Sequence, residues 1–129
     1  VSVGFRALFL LSAAALLSSC SPPPIDIVVE KVGERLLLRL SQDWGVIFSS
    51  KQVPCVGEIS IHTPEVYDRS KAAWAIEPDK TIQCLDLASV TVGVVPDRWK
   101  EVVPLTVESG RTYTVEAYGI GSGRTDVRF

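Results

Sequence analysis

The chain has 129 residues, with 13 Lys and Arg against 15 Asp and Glu, one His, three Cys and no Met. A formal net charge of −2 argues against nucleic acid as a partner, since binding a phosphate backbone needs a clustered positive field. At 47% apolar residues the chain can bury a core, and its length suits one folded domain rather than two.

The first residues read VSVGFRALFLLSAAALL: Arg6, then an apolar and small-residue run from Ala7 to Leu17. That is the layout of a secretory signal peptide, and a run of about eleven residues falls short of the roughly 20 that a membrane-crossing helix requires. With no Met in the chain, Val1 reads as a GUG start and the sequence as a complete bacterial precursor.

At Leu17-Ser18-Ser19-Cys20, an aliphatic residue and two small ones before a Cys, the sequence resembles the lipobox of bacterial lipoproteins. The resemblance implies that residues 1–19 are a signal removed by signal peptidase II. It further implies that Cys20 is acylated, begins the mature protein and holds it to the membrane. The competing reading is an ordinary secreted protein cut near Ser19, with Cys20 a stray thiol. Enterobacterial lipoproteins kept at the inner membrane carry Asp after the Cys; Ser21 here resembles outer-membrane sorting, with the protein facing the periplasm. Ser21-Pro22-Pro23-Pro24 favours polyproline II, so residues 20–25 form the anchor and a semi-rigid stalk and residues 26–129 the domain. Loss of Arg6 with the signal leaves 12 basic against 15 acidic residues, a net of −3.

With Cys20 acylated, Cys55 and Cys84 remain as an even pair, expected to join in an oxidising periplasm. Such a bridge closes a loop of about 30 residues and stabilises the fold by roughly 3.5 kcal/mol in the chain-entropy account. The other reading leaves both as buried free thiols.

After the stalk, apolar and polar residues alternate nearly throughout, which is the period of strands. IDIVVE sets Ile25, Ile27 and Val29 on one side, and ERLLLRLS sets Leu36, Leu38 and Leu40 opposite Arg35 and Arg39. Further strands are expected over Gly45–Ser49, Val56–His62, Ala72–Ile76, Ile82–Leu87, Ser89–Val95, Val102–Glu108, Thr112–Gly119 and Arg124–Phe129. Breaks are expected at Val32-Gly33-Glu34, Ser41-Gln42-Asp43, Thr63-Pro64, Glu77-Pro78-Asp79, Pro96-Asp97 and Ser109-Gly110. One helical turn fits between Pro64 and Ala73, with Thr63 as its cap. The expected class is all-β, an antiparallel sandwich of about seven to nine strands.

The segment PLTVESGRTYTVEAYGIGSGRTDVRF resembles the end of a fibronectin type III or related immunoglobulin-like domain. The resemblance implies that Tyr113 forms the tyrosine corner, its hydroxyl bonded to backbone, with Val115 and Ala117 inward and GIGSG closing the last hairpin onto Val127 and Phe129. It covers only this segment: the early strand LLLRL lacks the core Trp of fibronectin type III domains, and Cys55 and Cys84 are not placed as the inter-sheet bridge of antibody domains. A terminal Phe on an amphipathic strand also resembles the last strand of outer-membrane barrels, but these strands are too short and too often broken by proline for one.

The search for chemistry finds no catalytic set and no expected cofactor or metal. His62, Glu65 and Asp68 in IHTPEVYD are one imidazole and two carboxylates, a minimal metal or hydrolase cluster, against which stands a solvated His at a strand end. No GxSxG elbow accompanies them, and GIGSG lacks the Lys and helix of a phosphate loop. Trp44 in QDWGV, Trp99 in PDRWKE and Tyr118 offer flat amphipathic rings to a protein or a glycan such as peptidoglycan, whereas Trp74 among alanines reads as core. The leading expectation is a non-catalytic, lipid-anchored binding or scaffolding module for an envelope protein. Glycan binding through Trp44, Trp99 and Tyr118 is the alternative, and a hydrolase or metal enzyme the least favoured.

Overall fold

The computed structural model describes residues 21–45, 50–66, 68–79 and 82–129. The expected signal, Cys20 and most of the expected strand Gly45–Ser49 lie outside the described residues. In chain order the strands are β1 Ile25–Val32, β2 Arg35–Asp43, β3 Lys51–Gln52, β4 Cys55–His62, β5 Trp74–Pro78, β6 Leu85–Asp86, β7 Ser89–Thr91, β8 Trp99–Val103, β9 Thr112–Gly119 and β10 Gly121–Arg128. They form an all-β sandwich of two antiparallel sheets. The first sheet runs β1-β2-β3 with β7 also on β2; the second runs β10-β9-β4-β5-β8 with β6 on β4. Of these ten strands, β3, β6 and β7 have only two or three residues, so seven longer ones carry the architecture.

The alternation of the sequence becomes the two faces of each sheet. On β2, Leu36, Leu38 and Leu40 are buried while Arg35 and Arg39 are exposed. From the second sheet Ile59 and Ile61 of β4, Trp74 and Ile76 of β5, and Tyr113, Val115 and Ala117 of β9 meet them in one core. Each fully buried aliphatic side chain there contributes about 1.5–3 kcal/mol. β1 and β2 are joined through Gly33-Glu34, with Val32 paired to Arg35. Gly33 has φ 63, the conformation that the first residue of a glycine-led two-residue hairpin turn requires.

Several boundaries differ from the expected ones, each for a local reason. β2 continues through Ser41-Gln42-Asp43 because Gln42 turns inward, 1% exposed, and its amide donates to Pro23 O at 2.8 Å and Ile120 O at 2.6 Å. β5 continues to Pro78, paired with Trp99; the missing N–H costs no ladder bond there, because the pairing of β5 with β4 ends at Ile76 and Trp99 N–H bonds Pro96 O. The strand expected over Ser89–Val95 stops at Thr91, where a turn bonds Val94 N–H to Thr91 O at 3.0 Å and Gly93 takes φ 86. The one expected over Ile82–Leu87 contracts to β6, and the one expected over Val102–Glu108 moves back to β8, since the chain leaves the sheet before Pro104. The helical turn expected between Pro64 and Ala73 is a short 3-10 turn over Arg69–Lys71, capped by the Asp68 carboxylate and not by Thr63, whose C=O accepts from Val66 N–H in a separate turn.

The sheets also meet along one seam. β1, at the edge of the first sheet, passes so close to β10, at the edge of the second, that a Cβ added to Gly123 would lie 1.9 Å from Ile25 O.

Candidate functional site

Cys55, at the start of β4, and Cys84, just before β6, are bonded to each other with their Cα atoms 5.3 Å apart. Because β6 pairs with β4, this bridge pins a loop onto the second sheet and does not cross between sheets. Tyr113 is buried at the start of β9; its hydroxyl accepts from the Glu108 N–H at 2.8 Å, and its ring meets Phe129 edge-on at 5.3 Å.

The three candidate binding aromatics do not form one surface. Trp99 is 7% exposed and belongs to the core. The reason lies in the preceding turn: Trp99 N–H bonds Pro96 O, Arg98 adopts φ 68, and β8 then begins at Trp99 against Pro78. Trp44, 40% exposed, follows β2 in the first sheet, whereas Tyr118, 46% exposed, stands on the outer face of β9 in the second.

His62 departs from both of its expected settings. It is 6% exposed rather than solvated, and among the described residues no three His, Cys, Asp or Glu side chains converge to hold a metal ion. Its Nδ1 lies 2.8 Å from Thr63 O, which can only accept, so that nitrogen carries the proton. Its Nε2 faces Glu116 Oε1 at 3.4 Å. Of its two expected partners, Glu65 is exposed on the loop beyond, whereas Asp68, also exposed, lines the same hollow as His62.

Most of the residues around His62 come from the outward-facing positions of neighbouring strands: Glu58 and Ser60 of β4, Glu116 and Tyr118 of β9, and Arg124 of β10, with Asp68 and Arg69 added from the 3-10 turn and its cap. They line a hollow of about 280 Å³. Charges run across it in a chain. Arg124 Nη2 stands 3.7 Å from Glu116 Oε1, and the Tyr118 hydroxyl donates to the other oxygen of Glu116. Arg69 pairs with Glu58 at 3.3 Å and with Glu77, which also takes Lys100 at 3.2 Å. Hydrogen bonds from Arg69 and Lys100 hold the Glu77 carboxyl below the usual carboxylate range, and the bond to Glu77 in turn raises Arg69. The bond to Glu116 pushes the Tyr118 phenol up, and the Ser70 hydroxyl and N–H lower Asp68.

Of this group the sequence singles out His62, Asp68 and Tyr118. Glu116 had a signal, since it alternates with buried Val115 and Ala117, but its partners on β4 and β10 depend on register between distant segments. A scan of protein-family models and searches of curated proteins and of solved structures find no match to this chain.

Proposed function

We propose that this chain is a lipid-anchored β-sandwich lipoprotein of the bacterial envelope, held by acylated Cys20 at the outer membrane on the periplasmic side. There it acts as a non-catalytic binding or scaffolding module for an envelope protein. The observation that carries this reading is the order of parts in the sequence: an apolar signal run, Leu17-Ser18-Ser19-Cys20, and a proline stalk that leads directly into β1. The stalk's docking supports it, since Pro23 O is held by Gln42 and the chain thus leaves the sandwich at a fixed point.

Binding is favoured over chemistry by the way the polar groups are used. Both nitrogens of His62 face fixed partners, Thr63 O and Glu116, and Glu116 is further engaged by Tyr118 and Arg124. A general base needs a nitrogen directed at the proton it removes. Among the described residues His62 makes no hydrogen bond to Ser60, the hydroxyl two residues before it on the same face of β4.

A fibronectin-type or immunoglobulin-type kinship is supported by two features. The order β1-β2-β7 opposite β4-β9-β10 corresponds to strands A-B-E and C-F-G of that architecture, and Tyr113 makes the corner bond at the start of the F-like strand.

The test is crosslinking in intact envelopes followed by capture of the tagged chain, beside Cys20→Ser. The reading predicts a reproducible protein partner for the native chain and its loss when the anchor is removed. No reproducible partner, or the same partners for Cys20→Ser, contradicts it.

A further inference from the structure

At the end of the sandwich opposite the stalk, two adjoining hollows of about 330 and 400 Å³ share Glu34, Leu36, Val107 and Phe129 as lining. β1 separates this end from Ile25 by eight residues, roughly 25 Å of strand. Val94 and Leu105, 44% and 38% exposed, extend the apolar lining at the rim. Lys31, Arg35 and Arg128 also line the hollows, against a single acidic side chain, Glu34. Among the described residues none of those three cations takes part in an ion pair, unlike Arg39, Arg69, Lys100, Arg111 and Arg124.

One wall of this groove is the stretch Pro104–Glu108, which belongs to no sheet. Thr106 N–H bonds Ala73 O at 2.8 Å and Glu108 N–H bonds the Tyr113 hydroxyl, so alternate amides point into the domain. The intervening residues, Leu105 and Val107, make no main-chain hydrogen bond among the described residues. In an extended chain the N–H and C=O of alternate residues face the same side, so these two form the donor and acceptor row of an open strand edge.

Resting on the reading of the chain as a binding module, we propose that this groove is its docking surface, and that it takes an extended, acidic segment of a partner protein by strand addition along Leu105–Val107. Main-chain bonds to Leu105 and Val107 give the affinity. Every second side chain of the segment, an apolar one, enters the hollow over Leu36, Val107 and Phe129. Its acidic side chains meet Lys31, Arg35 and Arg128, which selects for charge and orientation. Because the groove lies at the end away from the stalk, a bilayer holding Cys20 is out of its reach, which favours a protein segment over a lipid.

The probe is an acetylated peptide of Val-Glu repeats, added to the full chain in zwitterionic detergent, with amide exchange read by NMR and affinity by fluorescence anisotropy. Exchange at Leu105 and Val107 is expected to slow by about tenfold or more on binding. Combined Lys31→Glu and Arg128→Glu, both at exposed positions, should weaken binding by at least about tenfold, as should replacing Glu by Lys in the peptide. Unchanged exchange at the two amides overturns the proposal, and so does equal binding of the Val-Lys peptide. Sodium laurate filling the groove while the peptide leaves the amides unprotected also overturns it, and assigns the groove to an acyl chain. A partner captured from envelopes while Leu105 and Val107 stay unprotected leaves the binding-module reading standing and removes this surface from it. Protection of both amides with no captured partner upholds the surface and removes the envelope-protein reading.

Discussion

Glu116 is approached from three sides: by His62 Nε2 from β4, by Arg124 from β10 and by the hydroxyl of Tyr118 on its own strand. The Tyr118 proton therefore sits between a phenol and a carboxylate, and losing it would set two anions against each other. That bond, followed by burial and the charge of Glu116, raises the Tyr118 pKa in the folded protein. A group whose folded pKa is raised stabilises the fold fully below its unfolded pKa and loses that contribution as pH rises through the folded one. The window here thus lies above the ordinary tyrosine value of about 10. Ultraviolet difference titration of the native chain against Tyr118→Phe should show this phenol ionising above the usual range, and Glu116→Gln should bring it down. Ionisation at the same pH in Glu116→Gln would show that the bond is not the cause.

At the scale of elements, the period-two pattern made the long strands legible: Leu36, Leu38 and Leu40 on β2 and Tyr113, Val115 and Ala117 on β9 are inward where alternation puts them. Alternation could not show which strands cross. Gln42 read as part of a break because a polar residue among Ser and Asp resembles turn chemistry, yet its amide is the link between Pro23 and Ile120. GIGSG likewise read only as a hairpin, whereas Gly123 is where the backbone of β1 passes over β10. Any side chain there must push Ile25 aside and open the seam between the sheets. Gly123→Ala should lower the melting temperature by several degrees, through a loss of about 2 kcal/mol or more. The neighbouring exposed Ser122, changed to Ala, should alter stability by less than about 0.5 kcal/mol. Thermal melts of both variants check this, and a Gly123→Ala protein melting with the native one would contradict the close approach.

For the whole molecule, the sequence carried the fold class because nearly every segment after the stalk alternates. It carried less of the surface, because burial outside regular strands is decided by the chain that passes over. Trp99 in a turn-like context and His62 at a strand end are both buried, the first by the inward twist at Arg98 and the second beneath a loop whose course depends on Pro64 and Asp68. The proposed arrangement is then directional. Pro23 and Gln42 fix the stalk at one end, and the open edge at Leu105 and Val107, beside Lys31, Arg35 and Arg128, which form no ion pair among the described residues, lies at the other.

Everything in that arrangement turns on Cys20. Intact-mass spectrometry of the protein extracted by detergent from the membranes of bacteria producing it reads it directly. The account predicts a chain that begins at Cys20 and carries at least two acyl groups, the number that stable anchoring requires. A chain cut elsewhere, or one beginning at Cys20 without acyl groups, contradicts it.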